Sequence, residues 1–125
     1  MNSAIKFVSF IIFLTIIFNS NLFGQKSVTL VGEIVELKTY MVDKIKPNSP
    51  AGIEVTKEGL MVGGTFALVE KKTNKVVILI PSAVNKNLYG VLEPYLGTQV
   101  FIKGQQYSSG GIRVLTVDDV GKSLK

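Results

Sequence analysis

The sequence predicts a small all-β domain with minor helix. Five strands close into an OB-fold-like, closed or partly open Greek-key barrel, with a short helical connector between strands three and four. Three observations carry this prediction. The stretch Gln99 to Val120 reads as a β-hairpin, two β-rich runs around Ser108-Ser109-Gly110-Gly111, residues that tolerate tight or left-handed backbone. A long first strand, Ser27 to Thr39, contains Gly32 in its interior, the mark of a bulge or sharp bend where a sheet closes on itself. Between the third and fourth strands, Val84, Leu88, Val91, Leu92, Tyr95 and Leu96 recur at spacings of three and four, which makes one apolar helical face.

The elements follow in chain order. Met1 to Lys6 is a short basic start, and Phe7 to Phe18 is almost wholly apolar but shorter than the about 20 residues that span a bilayer. The pair reads as a secretory signal over residues 1–24, cut after the small Gly24, with residues 25–125 as one domain. The alternative is an uncleaved anchor extended through Leu22 and Phe23. In the first strand Val28, Leu30, Ile34 and Leu37 are expected on one side, with a register change near Gly32. Tyr40 to Ser49 reads as a loop. Ser49-Pro50 opens a short helix to Glu58, with Gly59 as its stop, although Val55 and Thr56 favour strand. Gly63-Gly64 is a hinge or turn, Thr65 to Glu70 strand two, Lys71 to Lys75 a polar hairpin loop, and Val76 to Ile80 strand three, apolar throughout and so expected to be buried on both faces. The helical connector from Ser82 is expected to break near Gly90 and end at Pro94. The hairpin follows, and Gly121 to Lys125 is a polar tail.

Composition narrows the chemistry. The chain has 125 residues and no Cys, His or Trp. Disulfides, Cys/His zinc sites, thiol nucleophiles and Ser-His-Asp triads are therefore excluded. Asp118-Asp119 and Glu33/Glu36 diverge on a strand and do not form a cation site. Neither Gly63-Gly64 nor Gly110-Gly111 matches a phosphate-cradling loop. No enzymatic activity, metal or cofactor is expected. The net charge is +5, carried almost entirely by dispersed Lys with Arg113 the one arginine, which fits either a solvated basic surface or affinity for an anionic partner.

The stretch VTLVGEIVELKTYM (28–41), the Gly59-Leu60-Met61 step into a strand, and the ending LEPYLGTQVFIKGQQYSSGGIRVLTVDDV together resemble small exported bacterial OB-fold proteins of the tRNA-anticodon-binding-like kind. The resemblance covers essentially the whole chain after the signal. Some members carry cysteines just before the Tyr-Met pair and in the following helix. Here Thr39, Ala51 and Val55 stand in those places, so no metal or redox role carries over. What the resemblance implies is the fold and a periplasmic or secreted location.

The remaining expectation is a binding or interaction module of the cell envelope, with an unidentified protein or an anionic ligand as partner. The candidate site is the sheet face and loop near Lys38, Tyr40, Lys44, Lys103, Tyr107 and Arg113, where Lys and Arg attract an anionic group and Tyr offers flat apolar contact. The alternatives are a structural envelope protein held by its N-terminus, which is the one route to a membrane, and an oligonucleotide-binding OB domain, disfavoured by export. The bland reading of the same residues is that both Tyr cap the barrel ends and the Lys are solvated.

Overall fold

The computed structural model describes residues 25–124. The signal read over residues 1–24 and the terminal Lys125 lie outside the described residues. The element order is β1 (Gln25–Glu36), α1 (Leu37–Met41), α2 (Pro50–Met61), β2 (Phe66–Glu70), β3 (Val76–Ile80), α3 (Leu88–Leu92), a 3-10 turn (Glu93–Tyr95), β4 (Gln99–Ser109), β5 (Ile112–Thr116) and β6 (Asp119–Lys122). Strands run in the order β1-β2-β3-β5-β4, and β4 returns to pair with β1. All pairs are antiparallel except β3 with β5. This is the closed five-stranded OB-like barrel that the sequence predicts, with the helical connector between β3 and β4 in its expected place.

Closure depends on β1 serving two neighbours. Residues 32–36 pair with β2, and residues 25–33 pair with β4. The strand turns from one partner to the other at Gly32, where a Cβ would collide with the Val69 carbonyl oxygen. Only glycine lets the two backbones approach this closely. The expected register change does not occur. Val28, Leu30 and Ile34 keep the same parity through Gly32 and pack together on the core, whereas Leu37 joins a separate cluster on the opposite side.

The barrel interior holds Ile34, Leu68, Val77, Leu79, Val100, Ile102 and Leu115, with Leu60 of α2 and Leu92 of α3 packed against them. Strand β3 alternates: Val77 and Leu79 are buried, and their neighbours are half-buried. Burial on both faces belongs instead to β2, because Val35, Ala67 and Val69 form a second apolar cluster covered by Leu37, Tyr40 and Val76. At one end of the barrel Arg113 donates to Glu70 at 2.9 Å, and the Thr73 hydroxyl donates to the same carboxylate oxygen at 2.9 Å. Burial pushes the Glu70 carboxyl up, but Arg113 and then Thr73 outweigh it and hold it below its ordinary value.

Several boundaries move for identifiable reasons. Residues Leu37–Met41, expected as strand and loop, are helical because the Glu36 side chain caps them. Helix α2 forms and runs on to Met61, past the expected stop at Gly59. Its C-terminus is closed by Gly63 at φ 95, with Gly63 N–H donating to Leu60 O and Gly64 N–H to Gly59 O, a Schellman motif. Helix α3 passes through Gly90 after its Asn87 cap, and Pro94 opens the 3-10 turn rather than ending the helix. The hairpin turn is tighter than expected. Gly110 and Gly111, at φ 58 and 82, make a two-residue turn, and Ser108 and Ser109 belong to β4.

The strand expected from Ile112 to Val120 is broken in two. The Thr116 hydroxyl takes the N–H of Gln105, Val117 N–H crosses to Ile80 O on β3, and Asp118 N–H returns to Lys103 O. This one-residue offset sets up β6, which pairs with β4 and runs on through Gly121 and Lys122, expected as the start of a tail.

Candidate functional site

The long connection between β1 and β2 carries α1, a loop and α2, and Glu36 fixes how it leaves the barrel. Glu36 is 4% exposed, and its carboxylate accepts four hydrogen bonds. Lys38 N–H and Thr39 N–H donate at 3.0 Å, the Thr39 hydroxyl at 2.8 Å, and Thr65 N–H, from the far end of the connection, at 3.3 Å. Burial raises the carboxyl, and the four donors together overcome it and hold it below the ordinary carboxylate range. The C-terminal turn of α2 fits over this carboxylate because Gly59 and Gly64 have no side chains to obstruct it. One buried anion therefore ties the beginning and the end of the insert to β1.

Between α1 and α2 lies a groove of about 620 Å³. Tyr40, Met41, Ala51 and Val55 supply apolar surface, and Lys44, Lys46, Asn48 and Ser49 supply polar groups. The Lys46 ammonium sits over the Tyr40 ring, 5.8 Å from its centroid. Lys44 adopts a left-handed backbone at φ 60, which is uncommon for a side chain of this kind and costs roughly 1 kcal/mol. The first turn of α2 faces the groove through Ala51 and Gly52, with Gly52 N–H donating to the Ser49 cap. An arrangement of two ammonium groups, an aromatic ring and an apolar wall suits a ligand that is anionic at one end and flat or apolar at the other.

A second groove of about 540 Å³ lies behind α1, between Lys38, Asp43, Val55, Glu58 and Val62. Its charges are mixed, and Lys38 is already paired with Asp43 at 2.9 Å. Met41, Val55 and Val62, which line these grooves, are among the exposed large apolar side chains.

The six residues expected to form one site fall in three places. Lys38, Tyr40 and Lys44 lie together in α1 and the loop after it, and two of them line the larger groove. Lys103 and Tyr107 are exposed on β4. Tyr107 stands opposite Gln25, so the whole 12-residue length of β1 separates it from Glu36, roughly 36 Å of strand path. Arg113 is engaged with Glu70 at the barrel end. The two tyrosines therefore do not form a continuous stacking surface. Of the charged residues that line this groove, Lys46 is the one that the sequence reading passed over. Its spacing from Lys44 and its place before the Ser49-Pro50 helix start were the available signals.

Among the described residues no group of acidic side chains is placed to hold a metal ion, and no helix is long and apolar enough to cross a membrane. The class defined by fold and groove is an OB-like barrel with a helical insert between its first two strands. No protein-family model matches the chain, and no curated protein matches it.

Proposed function

We propose that this protein is an exported, non-enzymatic binding module of the cell envelope that holds an anionic ligand in the groove between α1 and α2. The observation that carries the reading is the groove itself, about 620 Å³, lined by Lys44 and by Lys46, which sits over the Tyr40 ring, with an apolar wall of Met41, Ala51 and Val55. The left-handed Lys44 supports it, since backbone strain of this kind persists where the surrounding structure holds it in place. Export is supported by the basic start and the apolar run Phe7 to Phe18.

An amide-resolved NMR titration tests the binding reading. The probes are an anionic oligosaccharide, micelles of an anionic lipid and a short single-stranded oligonucleotide. Shifts clustered at Tyr40, Lys44, Lys46 and Ala51 with one probe, abolished by Lys46→Ala, establish the groove and name its ligand class. Shifts centred on Lys103 and Tyr107 instead move the site to β4, and the absence of clustered shifts with every probe removes the reading. Intact-mass analysis of the protein recovered from its host tests export separately. A chain beginning at Gln25 is the expected result, and a full-length chain returns the N-terminal anchor.

A further inference from the structure

β1 has a second partner only along part of its length. N-terminal to Gly32 it pairs with β4 on one side, and no strand of the described residues lies on the other. The direction of its peptide groups follows from bonds nearby. Lys71 N–H donates to Val31 O at 2.9 Å, so residue 31 faces away from β4. Opposite Thr29 and Glu33, the carbonyls of Lys103 and Gln99 are likewise turned away from β1, toward Asp118 and Ser123. Direction alternates along an antiparallel ladder. Gln25, Ser27 and Thr29 therefore present N–H and C=O groups to the open edge, and all three residues are exposed. On the same stretch Val28 and Leu30 are only partly buried against the core.

This edge is also basic. The Lys71–Val31 bond pins the β2–β3 loop beside it, and that loop carries Lys71, Lys72 and Lys75, all exposed. Lys26 lies on the edge strand itself. Glu70, which begins the loop, is occupied by Arg113 and Thr73.

We propose that the Gln25–Thr29 edge of β1 docks an extended acidic segment of a partner protein, which adds a strand to the barrel. The unpaired peptide groups specify an extended backbone, since only a strand matches their alternating direction. The lysines specify the sign of its side chains. They also disfavour a second copy of this chain as the occupant, because self-pairing would bring two sets of these lysines together. The inference is independent of the groove reading.

The test uses the untruncated protein and three short peptides: one alternating Glu and Val, its Lys-Val counterpart, and the Glu-Val peptide with alternate backbone nitrogens methylated. The Glu-Val peptide is expected to slow hydrogen exchange at the Ser27 and Thr29 amides. Methylation, which keeps the charge and removes the ladder, is expected to weaken binding by about tenfold or more. The Lys-Val peptide is expected not to bind. The double variant Lys71→Glu/Lys72→Glu, on exposed loop positions, is expected to lose about tenfold in affinity for the acidic peptide and to gain binding to the basic one. Equal binding of the methylated peptide overturns the proposal, because charge alone would then account for it. So does unchanged exchange at Ser27 and Thr29. Protection that rises with protein concentration in the absence of peptide also overturns it, in favour of self-association.

Discussion

Replacing Glu36 by Gln tests whether one buried carboxylate holds the insert to the barrel. In the native protein one carboxylate oxygen accepts from Thr39 N–H and the Thr39 hydroxyl, and the other from Lys38 N–H and Thr65 N–H. The amide keeps one acceptor oxygen and sets its own N–H groups against the second pair of donors. Two charge-assisted hydrogen bonds are lost, at about 1.5 kcal/mol or more each, so the variant is expected to lose about 3 kcal/mol. For a domain of this size that lowers the unfolding midpoint by roughly 12 °C or more. The pH dependence is the sharper measure. Because the native carboxyl is held below its ordinary value, the unfolded chain binds the proton more readily. The contribution of Glu36 is fully present above the ordinary value of 4.5 and is lost as pH falls through the lower native value. Thermal unfolding by circular dichroism from pH 7 down to pH 3 should show the two proteins converging in acid. A midpoint change under about 4 °C at pH 7, equivalent to less than about 1 kcal/mol, refutes the reasoning. Parallel decline of the two proteins with falling pH refutes it as well.

Other substitutions probe other joints. Gly32→Ala drives a Cβ into the Val69 carbonyl and is expected to cost about 3 kcal/mol or to prevent folding, read as lost cooperative unfolding in urea. Arg113→Ala leaves the buried Glu70 with Thr73 alone and is expected to cost about 2 kcal/mol at neutral pH, with a smaller loss where Glu70 is protonated; urea unfolding at two pH values measures both. Thr56 is fully buried on α2 with no hydrogen-bond partner for its hydroxyl among the described residues. Thr56→Val keeps its shape and is expected to raise stability by about 1 kcal/mol, visible as a higher midpoint in urea with an unchanged slope.

What could be read from the sequence was decided locally. The Gly110-Gly111 turn, the β2–β3 hairpin, the Ser49-Pro50 helix start and the bend at Gly32 each follow from a few adjacent residues whose backbone preferences admit one arrangement. What could not be read was decided at a distance. Leu37–Met41 contains Thr39 and Tyr40, which favour strand, and becomes helical because the Glu36 cap also takes Thr65 N–H from the far side of the insert. The division between β5 and β6 depends on Val117 reaching Ile80 on another strand. The candidate site divides in the same way. Lys38, Tyr40 and Lys44 are neighbours in sequence and remain neighbours in space, whereas Lys103, Tyr107 and Arg113 were joined to them by a strand arrangement that periodicity does not specify. Lys46 was legible as a loop cation, and its place over the Tyr40 ring was not.

The return of β4 to β1 has a consequence for how the chain folds. Position 25 must meet position 107, and every rung of that ladder joins the beginning of the domain to its last third. The β2–β3 and β4–β5 hairpins can form early, since their loops are short. Sealing the barrel requires a large loop to close before any of its contacts are made, which places such topologies among the slower-folding small domains, on the order of milliseconds to seconds. During synthesis β1 waits without its principal partner until β4 has been made. The barrel therefore stays open on the nascent chain until β4 exists.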